Sequence, residues 1–223
     1  MKSILQILFT LTFFSNAFGQ EKSVEPENTL HFFYIVPTSI AGSTWSDIDA
    51  FWCEIGYGHV VKKHGFFYDV KALVKSYPNN GGGYFWKSIG QVQSSGLSTS
   101  FEYKRILNRK FYFGIQFYGQ TTKTARKETY LQEGADSETT SQYLVKRNEF
   151  GILPKFGILF VTKGDMSCDI GLGCGLRYIS SKSDGKKNPE GNNEKEYLTN
   201  KVFDHGQKFA QRISLQFRVG YAF

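Results

Sequence analysis

Hydrophobic and polar residues alternate along most of this chain, most cleanly at its end. From Phe209 to Phe223 one row holds Phe209, Ile213, Leu215, Phe217, Val219, Tyr221 and Phe223, with Gln211 its only polar member. The other row holds Ala210, Arg212, Ser214, Gln216, Arg218, Gly220 and Ala222. A period of two over this length predicts a long β-strand with one apolar face and one polar or small face.

Seven earlier stretches carry the same signal. The first strand is expected over His31 to Val36, with a continuation toward Ile40 opposed by Pro37, which cannot donate to a ladder. The second runs from Phe51 to Val61 and the third from Phe66 to Ser76, separated by a turn at Lys62 to Gly65. The fourth covers about Val92 to Ile106 and the fifth Phe111 to about Thr122. A polar stretch from Lys123 to Ser141 reads as a loop whose flanks extend the strands on either side. The sixth strand passes through Phe150, Ile152, Phe156, Ile158 and Phe160, and Pro154 inside it predicts a bulge. The seventh sets Met166, Cys168, Ile170, Leu172, Cys174, Leu176 and Tyr178 against Ser167, Asp169, Gly171, Gly173, Gly175 and Arg177. Long connections near residues 38–50, 77–91, 123–141 and 181–208 alternate with short ones near 62–65, 107–110 and 162–165. The expected fold is all-β: an eight-stranded antiparallel up-and-down transmembrane β-barrel over residues 31–223, with short turns at one end and long loops at the other.

The rows of mixed charge decide which face is out. Glu54, Asp69, Glu102 and Asp169 share the non-apolar rows with Lys71, Lys104, Lys155, Arg177, Arg212 and Arg218. A soluble lipocalin-like barrel would turn these residues to water. Gly171, Gly173 and Gly175 in the same rows fit a crowded lumen better than a solvated exterior. The ten charges are therefore expected inside, as an ion-paired core that plugs the barrel, since eight strands leave room only for side chains. The alternative is a narrow polar path for small or apolar solutes, whose six cations would favour anions.

Composition refines this picture. Lys2 and the apolar run from Ile4 to Phe14, followed by Ala17-Phe18-Gly19, read as a cleaved signal peptide over residues 1–19, leaving a short periplasmic tail over 20–30. Export makes nucleic acid an improbable partner for a chain of formal charge +7. Cys168 and Cys174 lie six apart on one strand, about 20 Å at ~3.3 Å per residue, too far for a disulfide. With Cys53 they read as small hydrophobes, and no metal site is expected around them.

Other chemistry is thin. The glycine-rich stretch from Pro78 to Gly90 has no GK[ST] and no following helix, so an exposed loop is expected. His31, His59 and His64 fall toward the short-turn end, and His205 beside Asp204 in the last loop is the one candidate for an acid–base pair. Tyr84, Phe85, Trp86 and Lys186, Lys187, Lys195 could meet a surface ligand through the long loops.

The signal-like leader, alternating strands, loop rhythm and terminal Phe223 together resemble the small Gram-negative outer-membrane β-barrel group that includes the OmpA transmembrane domain, OmpX, OmpW and PorT-like proteins. The resemblance covers nearly the whole chain after the leader. It implies a structural or porin-like protein of the cell outer membrane, without cofactor and not an enzyme, although lipid-modifying enzymes occur in the group. Its implied partners are outer-membrane lipids and the barrel assembly machinery, which would read Tyr221 and Phe223 as an assembly signal.

Overall fold

The computed structural model describes residues 21–22, 29–36, 50–76, 89–107, 110–131, 138–162, 164–185, 195–197, 200–202 and 205–223. Eight antiparallel strands close into one ring, and no helix occurs among the described residues. The strands are β1 Leu30–Val36, β2 Ala50–Val61, β3 His64–Ser76, β4 Ile89–Ile106, β5 Phe111–Leu131, β6 Glu138–Thr162, β7 Met166–Asp184 and β8 Gly206–Ala222. Each pairs with its neighbours in sequence, and β8 returns to β1 in the register Gly220↔Tyr34 to Ala222↔Phe32. His31 and Phe223 then exchange two backbone hydrogen bonds of 2.9 Å, so the terminal residue is tied into the ring. Glu21–Lys22 adds a short stretch beside Thr162 and Val161, and Lys195–Tyr197 pairs with Asn200–Val202 as a separate small hairpin.

Two of the three short connections are tighter than the sequence pattern suggests, and the third, 107–110, has the expected length. Val61 pairs directly with His64, so the β2–β3 turn is Lys62-Lys63 alone, with Lys62 at φ 56°. At the β6–β7 turn Asp165 takes φ 61°, a conformation that aspartate tolerates better than most residues. Most of the expected loop over 123–141 is strand: β5 and β6 stay paired from Phe111↔Ile158 out to Leu131↔Glu138. Apolar alternation fades there while threonine, which suits a pleated surface, keeps the chain extended. Among the described residues, the strands β4 to β7 are therefore longer than β1 to β3.

The bulge expected at Pro154 is absent. Pro154 pairs with Ile115 on one side, and the β6–β7 register is the same on either side of it, from Ile152↔Leu176 to Lys155↔Gly173. The missing N–H interrupts the ladder locally without inserting a residue. Gly175 accommodates the change, because a Cβ there would stand 2.0 Å from the Ile152 carbonyl oxygen. Register shifts occur instead at Phe51/Trp52 and at Gln91/Gln93, toward the long-loop end.

The apolar rows face out. Ile213, Leu215 and Phe217 are 48%, 49% and 39% exposed, and Ile55, Val70, Phe113, Phe156, Leu172 and Leu176 share this outer surface. The interior is stratified. Phe32, Val60, Phe67, Ile106, Leu159, Val161 and Ala222 form an apolar floor at the short-turn end. Above the floor lie charged side chains. Rings of neighbouring strands fill the space left by glycines: a Cβ at Gly56 would meet the Tyr34 ring at 2.1 Å, and one at Gly151 would meet Tyr118 at 2.3 Å.

Candidate functional site

Alternation carries all ten predicted charges inward, and the ring then sorts them into two groups. The central group is organised by Arg218 on β8. Its Nε donates to Glu54 at 2.9 Å, its Nη2 to Asp69 at 2.6 Å, and its Nη1 to Glu102 at 2.8 Å and Asp169 at 3.4 Å. Its guanidinium also stacks over Tyr34, 4.7 Å from the ring centre. Three lysines complete the neutralisation. Lys71 pairs with Glu54 at 2.6 Å, Lys155 with Glu102 at 3.3 Å, and Lys104 with Asp169 and, at 3.6 Å, with Glu102.

Neutral groups take up further valences. Tyr112 and Gln216 donate to Asp169 at 2.8 Å each, Ser100 donates to Asp69 at 2.5 Å, and Gln116 donates to Ser100 at 2.6 Å. Lys155 also donates to Gln216. Lys104 sits between the Phe67 and Tyr112 rings, 4.3 and 4.1 Å from their centres. Four carboxylates meet four cations here, and Glu102 and Lys104 have side chains fully removed from solvent. Such charges are tolerable only when paired and hydrogen-bonded.

The second group lies nearer the long-loop end. Glu149 accepts from Arg212 at 2.8 Å, Arg177 at 3.2 Å and Arg147 at 3.4 Å, and from the Tyr118 hydroxyl at 2.8 Å. Arg212 also covers the Tyr118 ring at 4.1 Å. Arg177 and Arg212 were expected inside; Glu149 and Arg147 were not among the predicted charges. The first position named for the expected sixth strand is Phe150, whereas the strand begins at Glu138. Its inward odd-numbered row, carried back from Gly151, would have reached both.

No family model, curated protein or solved structure matches this chain. The geometry therefore carries the functional reading.

Other candidates are dispersed. His59 lies on the outer face near the short-turn end, stacked on Phe66 at 5.2 Å. His31 bonds the Tyr57 hydroxyl at 2.6 Å, and His64 bonds Tyr103 at 2.7 Å and contacts Arg105. His205 is exposed at the entrance to β8, and its sequence neighbour Asp204 lies outside the described residues. Cys53, Cys168 and Cys174 are free thiols on the outward rows, and no metal-ligand cluster occurs among the described residues. Tyr221 and Phe223 are outward, 52% and 63% exposed, and stack on one another at 6.5 Å. The predicted leader over 1–19, most of the glycine-rich stretch, Tyr84, Phe85, Trp86, Lys186 and Lys187 lie outside the described residues, as does the side chain of Lys195.

Proposed function

We propose that this chain is an outer-membrane β-barrel whose lumen is closed by ion pairs and whose role is structural or surface-binding rather than conductive. The observation that carries the reading is the inversion of polarity across the ring: apolar side chains cover the outside while paired charges fill the inside. A continuous apolar surface of this kind is rare on soluble monomers. Its dimensions suit a bilayer. The outward row from Ile213 to Phe223 spans ten residues. That is about 33 Å along the strand, or about 25 Å along the axis at a tilt near 40°, the height of the apolar band in such barrels.

Closure is supported at two levels, by the apolar floor and by the buried central ion pairs. The same sealing argues against the solute path. Within this reading Tyr221 and Phe223 would present the assembly signal, and the long loops would face outward to meet any surface ligand. The test is to refold the chain in detergent and follow its gel mobility with and without boiling, then record conductance in planar bilayers. A heat-dependent mobility shift with silent bilayers is expected. Steady ion-selective currents would replace the plug with a channel, and the absence of a mobility shift together with solubility without detergent would overturn the membrane barrel.

A further inference from the structure

The outer face at the short-turn end is not uniform. Alternation places Phe101, Tyr103 and Arg105 outward on β4, and His64, Phe66 and Tyr68 outward on β3. The register sets His64 opposite Arg105. The Lys63 carbonyl accepts from the Ile106 N–H at 2.8 Å, which fixes the Lys62-Lys63 turn beside the end of β4. Three cations are thereby gathered on one sector of the rim. Lys62, Lys63 and Arg105 are exposed, and none has an ion-pair partner among the described residues. No Asp or Glu faces outward from this end of β2 to β5 among the described residues. The acidic positions at the same end, Glu21 and Asp165, belong to the far side of the ring, beside Thr162 and Ala222.

His64 holds Arg105 and Tyr103 in place. Arginine can only donate, so His64 receives the Arg105 guanidinium at Nε2 and donates from Nδ1 to the Tyr103 hydroxyl at 2.7 Å. The hydroxyl keeps its own hydrogen for another acceptor, and the guanidinium keeps further donors. An oxyanion is the complement of such a set. Toward the middle of the strands the same surface turns apolar. Tyr103 packs on Phe66 at 5.5 Å, Phe66 on Phe101 at 6.5 Å, and Phe101 on Tyr68 at 5.0 Å. Val70 and Leu97 continue it at 52% and 53% exposure. An anion held at Arg105 therefore has apolar surface on one side of it only, which matches the head and tail of an amphiphile.

We propose that Arg105, Lys62, Lys63 and the Tyr103 hydroxyl form a headgroup site for one anionic phospholipid, with its phosphate at the short-turn rim and its acyl chains along Phe66, Phe101 and Val70. Basic side chains suit this boundary, because their stems lie on apolar surface while their charged ends stay among the headgroups. A zwitterionic headgroup brings an ammonium group that the three cations repel, so the site selects lipids of the phosphatidylglycerol type. The inference rests on the membrane reading above and adds to it a lipid class and a place on the ring.

Native mass spectrometry of the full chain, refolded in neutral detergent and offered phosphatidylglycerol or phosphatidylcholine of equal chain length, tests this directly. One phosphatidylglycerol retained per chain is expected, with a preference of roughly tenfold over phosphatidylcholine. Arg105→Gln should weaken its retention roughly fivefold, the factor by which one basic residue near an anionic membrane surface strengthens binding. Tyr103→Phe leaves the charge unchanged and should weaken retention roughly threefold through the lost donor. Lys146→Gln, the same charge change as Arg105→Gln at an exposed outward position toward the long-loop end, should leave it unchanged. A chain that shows the heat-dependent mobility shift but retains both lipids equally would overturn the site and leave the membrane barrel standing. A chain that is soluble without detergent and shows no shift would overturn the barrel and the site with it. The proposal also falls if Lys146→Gln weakens retention as much as Arg105→Gln, or if inorganic phosphate at equal concentration displaces the lipid.

Discussion

Replacing Arg218 by methionine isolates the cation on which the central group converges. The side chain keeps its approximate length, but Glu54, Asp69, Glu102 and Asp169 lose a donor at 2.6 to 3.4 Å. Three lysines are then left against four carboxylates. At an effective dielectric constant of 20, each contact near 3 Å is worth about 5 kcal/mol of Coulomb attraction. Repulsion among the carboxylates and the cost of desolvating the guanidinium offset much of the sum. Removing one partner from a buried ion pair destabilises by about 3–5 kcal/mol, and the upper end applies because four acceptors are affected at once. Asp69 is hit hardest, since Ser100 is its other hydrogen-bond partner. The double variant Arg218→Met, Asp69→Asn restores three charges of each sign and should recover at least a third of the loss. Guanidinium unfolding in detergent, followed by far-ultraviolet circular dichroism, measures both; a loss of this size lowers the midpoint by roughly 1 M. A single variant within about 0.5 kcal/mol of the parent chain, a change typical of ordinary surface substitutions, would refute the claim that Arg218 neutralises the core. A double variant no better than the single one would refute the charge argument in particular.

Three further outcomes are expected. Leu215→Arg, on the outward row at 49% exposure, should cost about 2–4 kcal/mol for a barrel folded in lipid, whereas an unchanged stability would mean that this face meets water. Gly157→Ala should be costly, at about 1–3 kcal/mol for overpacking, because its Cβ would stand 2.3 Å from the Ile170 carbonyl. Gly173→Ala should be milder, because the nearest atom there is Cγ of the flexible Lys155 at 2.9 Å; equal losses in denaturant titrations would contradict this ordering. Deleting Phe223 removes both backbone hydrogen bonds to His31 and the ring stacked on it at 5.6 Å. It should slow refolding into vesicles and lower the yield of the heat-sensitive gel form, and an undiminished yield would count against any role for this residue in closing the ring.

The alternation along β8 makes both its strand character and its buried row legible, and the same holds for the charged rows of β2, β3, β4 and β7. Alternation puts Tyr112 and Tyr118 in the inward row, but what they and Tyr34 fill there is harder to read, because tyrosine is at home both in a packed interior and at a bilayer surface. Their position follows from the glycines opposite them, which is a property of register between strands and not of any one strand. The division of the charges into two groups is hidden for the same reason. Arg218 meets Glu54 across 164 positions of sequence, and only ring closure fixes that distance. The effect of Pro154 is not legible because whether a lost ladder bond forces a bulge depends on the facing strand, where Gly175 leaves room for the Ile152 carbonyl.

The contribution of Arg218 by the last strand has a consequence for biogenesis. Its four acceptors are delivered earlier, by β2, β3, β4 and β7, so until β8 is added the central group holds four carboxylates against three lysines. Adding the final strand cancels that surplus and seals the seam to β1 in one event. A chain without β8 has neither the fourth cation of that group nor the strand that closes the ring onto β1.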